Sequence, residues 1–400
     1  MGALGILAFA LAIAASIALH EAGHMFTARA FGMRVRRYFI GFGPTVWSTT
    51  KGHTEYGLAA LPFGGFCDIA GMTAMDPLTP EEEPHAMVNK PAWQRIAVLA
   101  GGIVMNLLIG VVITYFVAVF SGIPNPDADF TPRVGKTVCV ADQVDANTLG
   151  ECSGAGPAGE AGVQVGDTLV ALDGQEIEQF GQLRDAVAKQ PGETVTLEVL
   201  RGGETLTLDV PVAEVERIDP ATGERVTQGA VGIVSAPVTV KQYGPAEAVP
   251  ATFRFTGQML RATVDGIASF PAKIPGVVAS IFGAERDIEG PVSVIGASRT
   301  GGELVEQDMW SAFWMMLASL NFFLALFNLV PLPPLDGGHI AVVLYEKIRD
   351  AFRRLRGLGP GAPANYEKLM PLTYAMAALL LGVGVLVMAA DVVNPVRILG

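Results

Sequence analysis

The chain has 400 residues, half of them hydrophobic, with a mean hydropathy of +0.42 and only 16% charged side chains. A soluble domain carries about 25% charge, so composition excludes an ordinary soluble globule and points to an integral membrane protein with a soluble part. The net charge of −12 gives no support to a nucleic-acid partner.

Residues 1–32 read as a first transmembrane helix, an apolar run that ends in "ASIALHEAGHMFTARAF". It resembles the core of a signal peptide but lacks a basic start, and it carries His20, Glu21 and His24, so it is expected to be a retained span. Ionisable groups inside a span are functional candidates by default. HEAGH is an HExxH pattern. On a helix, residues i and i+4 share a face, so His20 and His24 can offer two nitrogens to one ion. Zinc suits imidazole, and a catalytic site keeps three protein ligands. Glu21 beside the ion then suits a general base for the attacking water.

Residues 33–92 form a loop whose segment "GFGPTVWSTTKGHTEYGLAALPFGGFCDIAGM" alternates apolar and small residues with glycine breaks, which is β-hairpin material. "DPLTPEEEPHA" is a polar, proline-punctuated stretch, and His53 and His85 read as ordinary loop histidines. Residues 93–121 are the second span. Residues 135–235 hold a compact β-rich unit: "DTLVALDGQEI" runs into an Asp173-Gly174 turn, "FGQLRDAVAKQ" sets Phe180, Leu183 and Val187 on a helix face, and "TVTLEVLRGGETLTLDV" is a hairpin. Strand, helix and hairpin after "AGVQVGD" resemble a bacterial PDZ domain, although no glycine-rich carboxylate-binding loop precedes them. Cys139 and Cys152 fall in this segment, where a disulfide can form if it faces an oxidising compartment. Two free thiols in a small core are the other reading. Residues 236–309 carry amphipathic stretches expected on the outer membrane surface.

Residues 310–339 form the third span, ending in "NLVPLPPLDGGH". Pro331, Pro333 and Pro334 cannot continue a helix, so the backbone loosens where Asp336 appears. Irregular backbone at membrane depth survives only inside protein or a watery cavity, which makes Asp336 the natural third ligand. His339, after the glycine pair, is a weaker one. Residues 340–370 read as a basic cytoplasmic loop and 371–393 as the fourth span. The flanks "ARAFGMRVRR" and "EKIRDAFRRLR" are basic, whereas residues 121–309 hold 13 Lys/Arg against 27 Asp/Glu. Basic flanks mark the cytoplasmic side. Both termini and the β-rich segment are therefore expected outside, with the HExxH near the cytoplasmic face.

HExxH in the first span, "NLVPLPPLDGG" in the third and a PDZ-like outer segment together resemble the site-2 protease family of intramembrane zinc metalloproteases, over nearly the whole chain. The resemblance implies a polytopic helical membrane protein with about four spans, a cytoplasmic-side membrane-associated hairpin and an extracytoplasmic PDZ-like domain. It implies one Zn2+ per chain held by His20, His24 and Asp336, with Glu21 as catalytic base. Asn328 matches the asparagine that opens the third-span motif, a candidate for binding substrate backbone or a developing oxyanion, unless it merely joins two helices. "AGGIVMNLLIG" resembles a further family motif around Asn106, for which a structural role competes. "LPFGGF" (Leu61, Pro62, Phe63, Gly64, Gly65, Phe66) is similar to the family hairpin that holds an unwound substrate. The implied substrates are single-span membrane proteins, such as anti-sigma factors or remnant signal peptides, trimmed first by a site-1-type protease. A rival from another class is a PDZ-bearing membrane scaffold with a structural zinc, which would normally need four protein ligands. A metal transporter is weaker still, since the other spans offer few ionisable groups.

Overall fold

The computed structural model describes residues 2–125, 132–145, 148–177, 180–218, 225–236, 240–283, 286, 290–359 and 361–395. Two units divide the chain: residues 1–123, 242–278 and 287–399 make the first, and residues 124–241 with 279–286 the second.

The first unit begins with α1 (Gly2–Ala30). It stops where Gly32 adopts φ +67, with the Met33 N–H donating to Ala28 O at 2.9 Å and the Gly32 N–H to Arg29 O at 3.0 Å. This is the glycine-terminated cap that satisfies the last carbonyls of a helix. The chain then turns into β1 (Val35–Lys51) and β2 (Thr54–Ile69). Residues 37–40 of β1 have β2 partners on both sides, 65–68 on one and 55–58 on the other. Residues 65–68 of β2 pair on one edge only. Arg36 anchors the loop that follows, donating to Glu82 at 2.7 Å and Asp76 at 2.9 Å, and it draws the Glu82 carboxyl down to about 2. α2 (Ala92–Leu99) and α3 (Gly101–Phe120) follow, parted at Ala100. The second span is thus two helices, of which α3 is long and apolar enough to cross a membrane.

The second unit contains α4 (Gly156–Glu160), α5 (Phe180–Val187) and a four-stranded sheet. Its strands are β3 (Thr168–Leu172), β4 (Gln175–Glu176), β5 (Thr194–Arg201) and β6 (Glu204–Pro211), in the order β6-β5-β3-β4. Asp173 and Gly174 both take positive φ, the conformation of a tight hairpin turn. Leu183 and Val187 of α5 are buried with Leu169, Val195, Leu197, Val199 and Val210, and Phe180 packs at the rim of this core. A disulfide joins Cys139 to Cys152, while Cys67 of the first unit is free.

After α6 (Pro245–Ile281), which opens on one proline and holds three more inside, come α7 (Val294–Glu306), α8 (Trp310–Asn328), α9 (Asp336–Leu355) and α10 (Met370–Val393). Four helices, α1, α3, α8 and α10, have the length and apolarity of spans, so the chain is a polytopic helical membrane protein with several small sheets. Two expectations need correction. Residues 340–355 are helix rather than loop, because Ile340 and Val343 recur at a helical interval and pack with Val98 and Leu99 of α2. An Arg95–Glu346 pair at 2.8 Å secures the same contact. The third span ends with α8 at Asn328 rather than at 339, because Pro331, Pro333 and Pro334 stop it, and within 236–309 the Gly301 and Gly302 of α7 let α1 approach so closely that a methyl on Gly301 would sit 2.5 Å from Phe9. Small residues at such crossings are the usual basis of helix packing in membranes, and a hydrophobicity pattern does not register them.

Candidate metal centre

The continuous α1 helix sets His20 and His24 one turn apart on the same face, with their Nε2 atoms 3.2 Å apart. Asp336 Oδ2 lies 3.3 Å from each. Three donor atoms thus form a nearly equilateral triangle. Ligands held about 2.05 Å from a tetrahedral ion stand about 3.3 Å apart, so the residues present fit a single zinc ion. Among the described residues these three are the only His, Cys, Asp and Glu set close enough to share an ion. Two imidazoles and one carboxylate are a catalytic rather than a closed structural set.

The surroundings explain the geometry. The His24 Nδ1–H donates to Val98 O at 2.8 Å. Val98 lies in the last turn of α2, where carbonyls lack intrahelical partners. That bond leaves the Nε2 lone pair facing the other two donors, the usual outer support of a metal-bound histidine. His20 Nδ1 is buried and has no such partner among the described residues. Asp336 opens α9, and the glycines after it are required by contact. A methyl on Gly337 would stand 2.4 Å from Leu329 O, and one on Gly338 2.6 Å from the Pro333 nitrogen. The start of α9 therefore nests on the proline turn that follows α8, which brings the carboxylate under α1.

Two further glycines let α3 close the site. A methyl on Gly23 would lie 2.3 Å from Gly101 O, so the two backbones touch. At Gly102 the same methyl would stand 2.4 Å from His24 Nε2 and 2.6 Å from His20 Nε2. Sequence reading overlooked Gly102, although it lies in the quoted "AGGIVMN". A glycine pair facing a small residue on a neighbouring span was the available signal.

Glu21 follows His20 on α1 and sits against the hairpin: a methyl on Gly65 would be 3.2 Å from Glu21 Cγ. Of the other hairpin residues, Leu61 is exposed and Phe66 stacks on Phe39 with centroids 5.4 Å apart. Gly64, at φ +91, leaves room for the Phe42 ring. Pro62 and Phe63 lie within β2. His339 stands apart from the cluster, its ring stacked on Tyr366.

The three asparagines differ. Asn328, the last residue of α8, is half-buried. Asn321, not singled out from sequence, is fully buried and joins α8 to α1 by donating to Ser16 Oγ at 3.0 Å. Asn106 is 1% exposed, and neither amide atom has a partner among the described residues. Gly102, Asn106 and Gly110 share one face of α3. Gly102 meets the histidines and Gly110 the ring of Phe322, so Asn106 points into the wedge between α1 and α8.

Gly102→Ala places a carbon where the ligands converge. The purified variant is expected to insert and elute as wild type but to bind zinc at least about tenfold more weakly, measured by chelator competition. Gly266→Ala, with open space around the added methyl, is the control. Unchanged affinity in Gly102→Ala would show that α3 does not wall the site.

Residues 8–358 match the model of peptidase family M50. The chain is 48% identical to the zinc metalloprotease Rip1 of Mycolicibacterium smegmatis over 100% of its own length and 99% of the relative's. It is 45% identical to Rip1 of Mycobacterium tuberculosis over 98% of both. It is 27% identical to the regulator of sigma-E protease RseP of Salmonella typhimurium, over 94% of this chain and 95% of that one. With an HExxH span, a facing aspartate and a family match across most of its length, the chain belongs to peptidase family M50, the site-2 protease family, and is an intramembrane zinc metalloendopeptidase.

Proposed function

We propose that the chain cuts single-span membrane proteins near the cytoplasmic end of their helix, after another protease has shortened them. His20 Nε2, His24 Nε2 and Asp336 Oδ2 hold one Zn2+. The observation that carries this is the 3.2–3.3 Å triangle of donor atoms. When bound, zinc supplies a Lewis acid that polarises the scissile carbonyl and acidifies water. Glu21 takes a proton from the attacking water on a carboxylate oxygen and returns it to the leaving amide nitrogen. The unpartnered Asn106 amide faces the same wedge and offers donors to substrate backbone or to negative charge on the carbonyl oxygen. Asn328 is a second such group, at the mouth of the proline turn.

A helical peptide bond is hydrogen-bonded and shielded, so the substrate must unwind before it is cut. Residues 65–68 of β2, paired on one edge only and packed against Glu21 through Gly65, supply the N–H and C=O groups that an unwound segment needs. Basic flanks after α1 and along α9 support a cytoplasmic position for this edge, with the second unit and both termini outside. The strand, helix and hairpin order of the second unit supports a PDZ-like filter that admits trimmed substrates. Regulation of a sigma factor, in the name of the Salmonella relative, supports anti-sigma factors as one substrate class, beside remnant signal peptides, with a site-1-type protease acting first.

Glu21→Gln keeps the three ligands and removes the base. It should retain zinc at wild-type stoichiometry and lose cleavage of a trimmed single-span substrate by at least about a hundredfold. Near wild-type turnover would refute the assigned role.

The edge-strand reading has its own test, made on the substrate. Synthetic transmembrane substrates N-methylated at successive positions beside the scissile bond lose one N–H each. In a strand, successive N–H groups point to opposite edges. Cleavage should therefore fall at alternate positions and persist at those between. A uniform loss, or none, would reject strand pairing while leaving the metal centre untouched.

A further inference from the structure

At the foot of α1 the chain encloses a hollow of about 780 Å³, lined by Arg29, Arg34, Lys51, His53, Tyr56 and His85 among others. It lies in the first unit, at the end of the hairpin remote from Phe42 and Leu61. Three fixed cations, Arg29, Arg34 and Lys51, face a single lining carboxylate, Glu81. Glu81 is 3.7 Å from Arg34 and its side chain is 84% exposed. Among the described residues Arg29 meets neutral partners, donating to Thr54 Oγ1 at 2.9 Å and to the Tyr56 hydroxyl and lying over the Tyr56 ring. Arg34 donates to His53 Nδ1 at 3.3 Å, and the His85 Nδ1–H donates to Gly32 O at 2.8 Å. Lys51 has no hydrogen-bond or ion-pair partner among the described residues. The hollow therefore holds more positive charge than the chain neutralises.

The same hairpin identifies what neutralises it. Beyond the hollow, Phe42, Val46, Trp47, Leu58 and Leu61 are all between 44% and 70% exposed. Phe42 pairs with Leu61 and Trp47 with Leu58, so exposed apolar side chains gather on this hairpin beyond the scattered exposure of a soluble surface, and in a unit with four span-like helices their cover is acyl chain. From Val46 to Lys51 is five residues, about 17 Å of strand. One amphipathic molecule can thus lie along the apolar face and put an anionic head among the cations. Guanidinium and ammonium groups suit phosphate oxygens.

We propose that this hollow binds the phosphodiester headgroup of an anionic glycerophospholipid and so fixes the β1–β2 hairpin at the membrane surface. Because Arg29 holds Thr54 and Tyr56, and β2 continues to Gly65 beside Glu21, the bound lipid also steadies the edge assigned to substrate. That consequence rests on the function proposed above, whereas binding does not.

The test uses full-length protein in phosphatidylcholine nanodiscs with traces of spin-labelled phosphatidylglycerol or phosphatidylcholine. Each cation near an anionic lipid is worth about fivefold in affinity. Wild type should immobilise the glycerol lipid at least about fivefold over the choline lipid. Lys51→Gln, an exposed change, should lower that ratio several-fold, and Lys51→Gln with Arg34→Gln should abolish it, with zinc content unchanged in both. Inorganic phosphate at matched ionic strength should not displace the label. Equal retention of the two lipids, or variants that retain the preference, would overturn the proposal. Displacement by phosphate alone would assign the hollow to a soluble phosphate and overturn the lipid assignment. Wild-type protein that shows the lipid preference but cleaves no single-span substrate would count against the protease reading and not against this one.

Discussion

The contact on which the site depends is the near-touching of α1 and α3 at Gly23, Gly101 and Gly102. In a membrane the hydrophobic effect does not drive helices together, so close packing of small residues has to do so. That approach brings α3 against the histidines and places α2, with the Val98 carbonyl in its last turn, within reach of His24 Nδ1. A side chain at position 102 would press on both histidine Nε2 atoms, so the glycine is as much a part of the centre as the ligands.

Asp336 reaches the same point by a different constraint. The proline turn after α8 stops one helix, and the Gly337-Gly338 pair lets α9 begin against the backbone of that turn. Asn321 of α8, bonded to Ser16 of α1, fixes the height of α8 beside the histidines. β2 completes the arrangement from another side, with Gly65 against Glu21. His20, His24 and Glu21 thus come from α1, Asp336 from α9 and Gly65 from β2, and each segment is placed by backbone contact rather than by long side chains. Positions set this way vary little, which hydrolysis at a fixed metal demands.

Much of this was legible in the sequence because it is written in rare signals. HEAGH inside an apolar run and "LPPLDGG" after another have few other readings, and apolar length picks out the four span-like helices, although α3 and α8 are shorter than the 93–121 and 310–339 read from sequence. The hairpin showed in its glycine-broken alternation, and the second unit in its turn and helix periodicity. Less visible was what depends on small residues. α7 packs through Gly301 and Gly302 and looked like a surface helix. Gly102 passed as one of many glycines. α9 was hidden by its charge, since "EKIRDAFRRLR" reads as a solvated loop until Val343 is seen to be buried against α2. Asn321 gave no sign at all, because a lone polar residue in a span has no periodicity to betray its partner.

The basic hollow at the foot of α1 and the apolar hairpin face complement the metal centre: the first concerns how the enzyme sits in its bilayer, the second what it does there. The central claim is the ligand set. X-ray absorption at the zinc edge of the purified, metal-loaded full-length protein reads it directly. The account predicts nitrogen and oxygen scatterers at about 2.0–2.2 Å, with the multiple-scattering signature of two imidazoles and no sulfur. A sulfur scatterer near about 2.3 Å, or a spectrum without imidazole scattering, would contradict it.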